Sequence, residues 1–192
     1  MKLVPTALGD VVEIQPVRHG DARGWFSEVF TASAMAEAGI VRPFIQDNES
    51  FSAAVGTLRG IHYQLEPFAQ DKIVRVVRGS VLDVAVDLRR GSPTFGEHVT
   101  VTLTGDAGNQ LLVPAGFGHG FVTLQPDTHV AYKVTAPYAP ERERSIRWDD
   151  PTLSIDWQLA GADPMVSERD AEAPLLTDQP DLFDLPRSET PA

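Results

Sequence analysis

The sequence predicts an all-β protein, a two-sheet antiparallel sandwich or barrel with short helices at its margins. Between residue 71 and about residue 135 it runs KIVRVV, VLDVAVDL, HVTVTLT, QLLV, HGFVTL and THVAYKV, separated by turn-forming RGS, RRGSP, GDAGN, PAG and QPD. Short β-rich runs at this spacing are the mark of hairpin-connected strands. HVTVTLT alternates strictly, with Val99, Val101 and Leu103 on one face and threonines on the other, as a half-buried strand does. Hardly any helical period appears in the same region.

The flanks are less regular. VVEIQP and RGWFSEVF read as strands, TASAMAEAG as a short helix from a Ser/Thr start to a Gly stop, and IQDNESFS as a polar segment suited to strand or loop. In THVAYKV, alternation places Val130, Tyr132 and Val134 on one face and His129 and Lys133 on the other. Tyr132 is therefore expected to point inward, where its hydroxyl needs a partner. After residue 136 the chain turns irregular and Pro-rich. Residues 1–178 are expected to form one domain, and residues 179–192 a flexible acidic, Pro-rich tail.

Composition limits the function. A chain of 192 residues with 42% hydrophobic and 22% charged residues is long enough for a sizeable core and is not globally disordered. A net charge of -11 argues against a nucleic-acid partner, which calls for a basic surface. The absence of cysteine excludes disulfides, thiolate catalysis and cysteine metal sites. No apolar run reaches the ~18 residues of a membrane span, and MKLVPTALGD has no basic-then-apolar signal segment, so a cytoplasmic protein without membrane partners is expected. A local basic cluster of Arg59, Lys72, Arg75 and Arg78 leaves room for an anionic small molecule.

Two histidines are candidates for chemistry. GTLRGIHYQ holds His62, and PAGFGHG holds His119 in a P-x-G-x-x-H pattern that resembles the second half of the cupin signature. Cupins are double-sheet jelly rolls. Metal-binding cupins supply H-x-H and a glutamate in the first half; here His62 stands alone, with Gln64 where the second histidine would be. Two histidines fall short of the three protein ligands usual for a catalytic metal, so no metal or other cofactor is expected. The residues alone leave His62 open as a general base or as a core histidine bonded to backbone.

RGIHYQ also closely resembles the RGLHFQ-type motif of the dTDP-4-dehydrorhamnose 3,5-epimerase family, built on a cupin jelly roll. So do DARGWFSEVF, QDNESFS, VRGSVLDVAVDLRRGSPTFG, VPAGFGHGFVTL, YKVTAPYAPERERSIRWDDP and SERDAEAPLL, in the family's order and to about residue 178. The resemblance implies inversion of the two sugar carbons flanking the ketone of dTDP-4-keto-6-deoxyglucose, giving dTDP-4-keto-rhamnose. It implies His62 as base, Asp170 as the carboxylate behind it, Tyr132 as proton donor and Lys72 as the cation near the ketone. It further implies Arg23, Phe26, Glu28, Gln46, Asp47, Asn48, Arg59, His119, Tyr138, Glu143 and Arg169 as substrate contacts, with Tyr138 stacking on thymine; Asp83, on a neighbouring strand, is a candidate partner for His119. Part of this set comes from a partner subunit in the family, so a homodimer is implied. The departures are Trp25, Trp148 and Arg169, the last where lysine also occurs; none removes a catalytic part.

Bland readings stand beside these. Ser167 and Asp170 are spaced as a capping box, in which Asp170 would only cap a short helix. Tyr132 could simply pack with its valines, and Lys72 could be a solvated strand end. Three functions from different classes remain: the metal-independent epimerase, including members acting on a single carbon, a metal-dependent cupin enzyme, and a non-catalytic sugar-nucleotide binding module.

Overall fold

The alternation in the sequence becomes strand register in the computed structural model, which describes residues 1–37 and 39–185. Its elements in chain order are β1 (Lys2–Pro5), β2 (Val12–Gln15), β3 (His19–Asp21), β4 (Gly24–Phe26), α1 (Ala32–Glu37), β5 (Gln46–Ser52), β6 (Leu58–Gln64), β7 (Lys72–Arg78) and β8 (Ser80–Asp87). They continue with β9 (Arg89–Arg90), β10 (His98–Thr104), β11 (Gln110–Val113), β12 (Phe117–Thr123), β13 (Thr128–Val134), β14 (Glu143–Ser145), α2 (Glu168–Ala171) and β15 (Phe183–Asp184). A six-stranded sheet runs β1-β2-β11-β7-β13-β5, and a five-stranded sheet runs β10-β8-β12-β6-β14. Neighbours within both are antiparallel.

The two sheets pack face to face. Val74, Val76, Leu111 and Val130 from the first meet Val81, Ala85, Leu103 and Phe121 from the second in one buried cluster. The outer face of the five-stranded sheet is covered in turn: Ile61, Tyr63, Leu82, Val84 and Val86 pack under Ile146, Leu153, Trp157 and Leu176 of the C-terminal segment. The helix α1 does the same for the six-stranded sheet, with Met35 against Ile14, Ile73 and Leu112. Covering both faces explains why β8 is buried throughout, although its residues still alternate between an inner and an outer cluster. VLDVAVDL is apolar on both sides because both sides are dry.

Several expectations need refinement. IQDNESFS is strand β5, an edge of its sheet. RGWFSEVF is not a long strand; only Gly24–Phe26 pairs, in a small hairpin with β3 that leaves Trp25 and Phe26 exposed. The tail boundary at 178 also shifts. Residues 179–185 are docked, with Gln179 donating to the Ser145 carbonyl and Asp181 paired to Arg144. Phe183 packs on Tyr63, and β15 pairs with β9. One aromatic anchor and several main-chain bonds suffice to hold a Pro-rich segment that composition alone reads as loose. The remainder of the expected tail, residues 186–192, lies outside the described residues. No helix among the described residues is long and apolar enough to cross a membrane.

Candidate active site

At one end of the sandwich the sheets part to form a cleft of about 440 Å³, into which His62, Lys72, His119, Tyr132, Arg59 and Asp170 project. A second limb of about 320 Å³ shares His62, Lys72 and Tyr132 and extends to Gln46, Asn48, Tyr138 and Glu143. Strand period explains one wall. On β7, Lys72 shares a face with the inward Val74 and Val76, while Ile73 faces α1. On β13, Tyr132 packs beside the inner cluster, as the alternation of THVAYKV predicts. On β5, Gln46 and Asn48 face the cleft, whereas Asp47 turns to the other side and pairs with Lys133 at 2.7 Å.

The opposite wall breaks the period. On β6, Ile61 and Tyr63 pack outward, yet both Arg59 and His62 line the cleft, which strict alternation forbids. Gly60 makes the switch. It sits at φ +122, a conformation that side-chain-bearing residues rarely adopt, and a Cβ there would lie 2.5 Å from Gly120 Cα on β12. The register of the β6–β12 pair shifts at the same place, between His119 and Phe121. The Arg-Gly pair before His62 therefore turns two functional side chains into one cavity.

His62 Nε2 lies 2.6 Å from Asp170 Oδ1, with the carboxylate side chain 5% exposed. An ionised carboxylate only accepts, so Nε2 donates and the neutral ring keeps its free lone pair on Nδ1. Burial pushes the Asp170 carboxyl up, but the hydrogen bonds from His62 and from the Gly60 backbone outweigh it and hold the group below its usual range. Asp170 thus stays anionic behind the imidazole. The capping geometry is present as well, with Ser167 Oγ accepting from the Asp170 backbone N–H at 3.1 Å. The two readings of SERD are compatible because one uses the main chain of Asp170 and the other its side chain.

Tyr132 stands on the facing sheet. Its ring is half-buried, and its hydroxyl has no hydrogen-bond partner among the described residues, contrary to the rule for a buried tyrosine; it is left to the cleft. Burial, aided by the negative charge of Glu143, raises its pKa, so the phenol stays protonated. Desolvation lowers the Lys72 ammonium to about 8 against the opposing pull of Glu143 and Asp83. His119 Nε2 lies 2.9 Å from Asp83 Oδ1 on the neighbouring strand β8, which is the pairing anticipated for it. Asp83 Oδ2 is buried with no partner among the described residues. Glu143 accepts from the Tyr138 hydroxyl at 2.8 Å and pairs with Arg169 at 2.6 Å, which ties the cleft mouth together.

Arg23, Phe26 and Glu28 are not brought to this cleft. Arg23 pairs with Asp21 on the exposed hairpin, its side chain 89% exposed; Phe26 is 67% exposed; Glu28 lines a separate hollow with His19 and Thr31. Cleft residues not singled out in the sequence include Ser50, Thr57, Leu58, Phe121, Met165 and Val166. Ser50 was findable once IQDNESFS was read as a strand, since it follows Gln46 and Asn48 on one face. Met165 and Val166 belong to a loop with no period to read. Among the described residues no group of three His, Asp or Glu side chains is placed to hold a metal ion. An imidazole backed by a carboxylate, a protonated phenol on the facing wall and a lysine in the same cleft are groups suited to moving protons at carbon next to a carbonyl.

Residues 5–178 match the family model of dTDP-4-dehydrorhamnose 3,5-epimerases. The chain belongs to this epimerase family. The epimerase is 49% identical over 181 residues to the dTDP-4-dehydrorhamnose 3,5-epimerase of Sinorhizobium fredii, covering 92% of this chain and 90% of the relative. It is 48% identical to that of Pseudomonas aeruginosa, over 93% of this chain and 97% of the relative. In structure it resembles a dTDP-6-deoxy-D-glucose-3,5-epimerase of Legionella pneumophila in complex with dTDP-4-keto-L-rhamnose, with a TM-score of 0.91, 44% identity, and 96% of this chain and 98% of that one covered. It also resembles a 3'-monoepimerase of Streptomyces bikiniensis in complex with dTDP-quinovose, with a TM-score of 0.84, 37% identity, and 90% and 87% covered. The epimerase is accordingly an isomerase on the cupin jelly roll, as the motifs implied.

Proposed function

We propose that this epimerase inverts carbons 3 and 5 of dTDP-4-keto-6-deoxyglucose through two enolate-forming proton transfers that need only side chains. The observation that carries the reading is His62 on one sheet, backed by Asp170 of α2, facing across one cleft the Tyr132 hydroxyl on the other sheet, which has no partner among the described residues. His62 removes the weakly acidic hydrogen beside the ketone, and Asp170 stabilises the imidazolium that results. Lys72 neutralises the enolate oxygen as charge develops on it. Tyr132 then protonates the carbon from the opposite side, which inverts it. His119, held by Asp83, and Arg59 fix the sugar and its diphosphate from the His62 wall.

The narrower limb suits the nucleoside. Gln46 and Asn48 offer amides to a pyrimidine edge and Tyr138 offers a half-exposed ring to its face, with Arg169 beside the diphosphate path. Arg23, Phe26, Glu28 and Asp47 complete the set in a homodimer, in which the exposed hairpin of one protomer reaches the cleft of its partner. The exposed Phe26 ring and the Trp25 ring, covered only in part by Arg18, support an arm of that kind. A cytoplasmic setting accords with the cysteine-free sequence. The 3'-monoepimerase among the structural relatives supplies a second reading, inversion at carbon 3 alone. Incubation with the keto sugar, borohydride reduction of the ketone and sugar analysis separate the two: rhamnose and its 4-epimer are expected, and products of the 6-deoxyallose type would establish single inversion.

A pH dependence follows from Lys72. Its charge is present below about 8 and lost above it, whereas the Tyr132 phenol, raised above its ordinary value, is still protonated there. The expected kcat/KM falls as pH rises through about 8, and Lys72→Arg moves this fall to higher pH while lowering the plateau. A fall that stays in place in Lys72→Arg would assign it to another group.

A further inference from the structure

Gln64 stands two residues beyond His62 on β6 and is 4% exposed. Its amide is fully engaged: Nε2 donates to the carbonyls of Phe68 at 2.8 Å and Pro137 at 3.1 Å, and Oε1 accepts from the Ala139 backbone N–H at 2.8 Å. Gln70 adds a bond from its Nε2 to the Ala136 carbonyl at 2.8 Å. Two glutamines thus grip the main chain on both sides of Tyr138, whose own side chain is 56% exposed and bonded to Glu143. Glu143 in turn sits opposite Gln64 in the β6–β14 register. The main-chain bonds of Gln64 and the register partner of Glu143 both lead back to the strand that bears His62.

We propose that Gln64, seconded by Gln70, is a positioning residue that holds Tyr138 at a fixed separation from His62, so that a nucleoside stacked on Tyr138 sets its sugar in register with the base. Two residue steps of a strand place Gln64 about 7 Å from His62 along β6, and the amide carries that spacing on to the chain around Tyr138. The amide is chemically required. Glutamate would set a carboxylate against two carbonyls, histidine has too few donors, and alanine removes the partner of the buried Ala139 N–H and of the part-buried Phe68 and Pro137 carbonyls. The position where a metal cupin places a ligand is here given to substrate registration. This inference rests on the reading of Tyr138 as the nucleoside platform.

The test is a double-mutant cycle read in kcat, KM and the Kd of dTDP. Gln64→Ala is expected to raise KM and the dTDP Kd about tenfold and to leave kcat within about threefold. Tyr138→Ala should raise the same two constants by a similar factor, and the double variant should be no worse than Tyr138→Ala alone. Multiplying effects in the double variant, or a Gln64→Ala loss confined to kcat, would overturn the proposal. If Tyr138→Ala left both constants unchanged, the platform reading itself would fall, and the inference with it. Should Gln64 variants not fold, Gln70→Ala replaces them in the cycle. Its rise in KM, about threefold, should vanish in the Tyr138→Ala background, and persistence there would overturn the proposal equally.

Discussion

Replacing His62 with alanine is expected to lower kcat on the order of 10²- to 10⁴-fold, the contribution of one positioned acid-base group, and to stop exchange of solvent deuterium into the sugar. The cleft offers no ready substitute. His119 is tied to Asp83, and Lys72 is needed as a cation. Binding should survive, because Arg59, Tyr138 and the amides of Gln46 and Asn48 are untouched, so the Kd of dTDP should change little. The variant keeps the Ser167 bond to the Asp170 backbone N–H but leaves the carboxylate without its imidazole, and a modest loss of thermal stability is expected. A His62→Ala enzyme that still exchanged deuterium at the parental rate would remove His62 from the chemistry.

Tyr132→Phe should separate exchange from inversion. The base on the β6 wall still removes the proton, and Lys72 still receives the enolate, but the opposite face has no donor. Deuterium is then expected to enter carbons beside the ketone with configuration retained, while net epimerisation falls on the order of 10²- to 10⁴-fold. Stability should hardly change, since the hydroxyl has no partner among the described residues and the ring keeps its packing against the inner cluster. NMR of the sugar in deuterated water reads both outcomes, and parental inversion in Tyr132→Phe would show that another group delivers the proton.

How far the sequence reached depends on where period could speak. KIVRVV through THVAYKV lie in covered sheets, so their alternation maps directly onto inner and outer clusters, and the inward direction of Tyr132 followed from it. Motif resemblance then supplied roles that period could not, and the His62–Asp170 pair joins residues 108 apart in the chain. Three features stayed hidden for physical reasons. The face switch at Gly60 depends on a positive φ and on Gly120 across the ladder, neither of which alternation reports. A motif has no sidedness until its segment is known to be a strand, so resemblance places Asp47 with Gln46 and Asn48 although it faces the other way and pairs with Lys133. In the sequence Gln64 shows only that a metal ligand is missing, whereas its bonds run to loop main chain, which carries no side-chain signal.

The central claim is that one base and one facing acid invert both carbons that flank the ketone. Incubating the parent enzyme with dTDP-4-keto-6-deoxyglucose in deuterated water and following the sugar by NMR tests it most directly. Deuterium at both carbon 3 and carbon 5, with both centres inverted, is the predicted result; exchange and inversion at only one of them would contradict it.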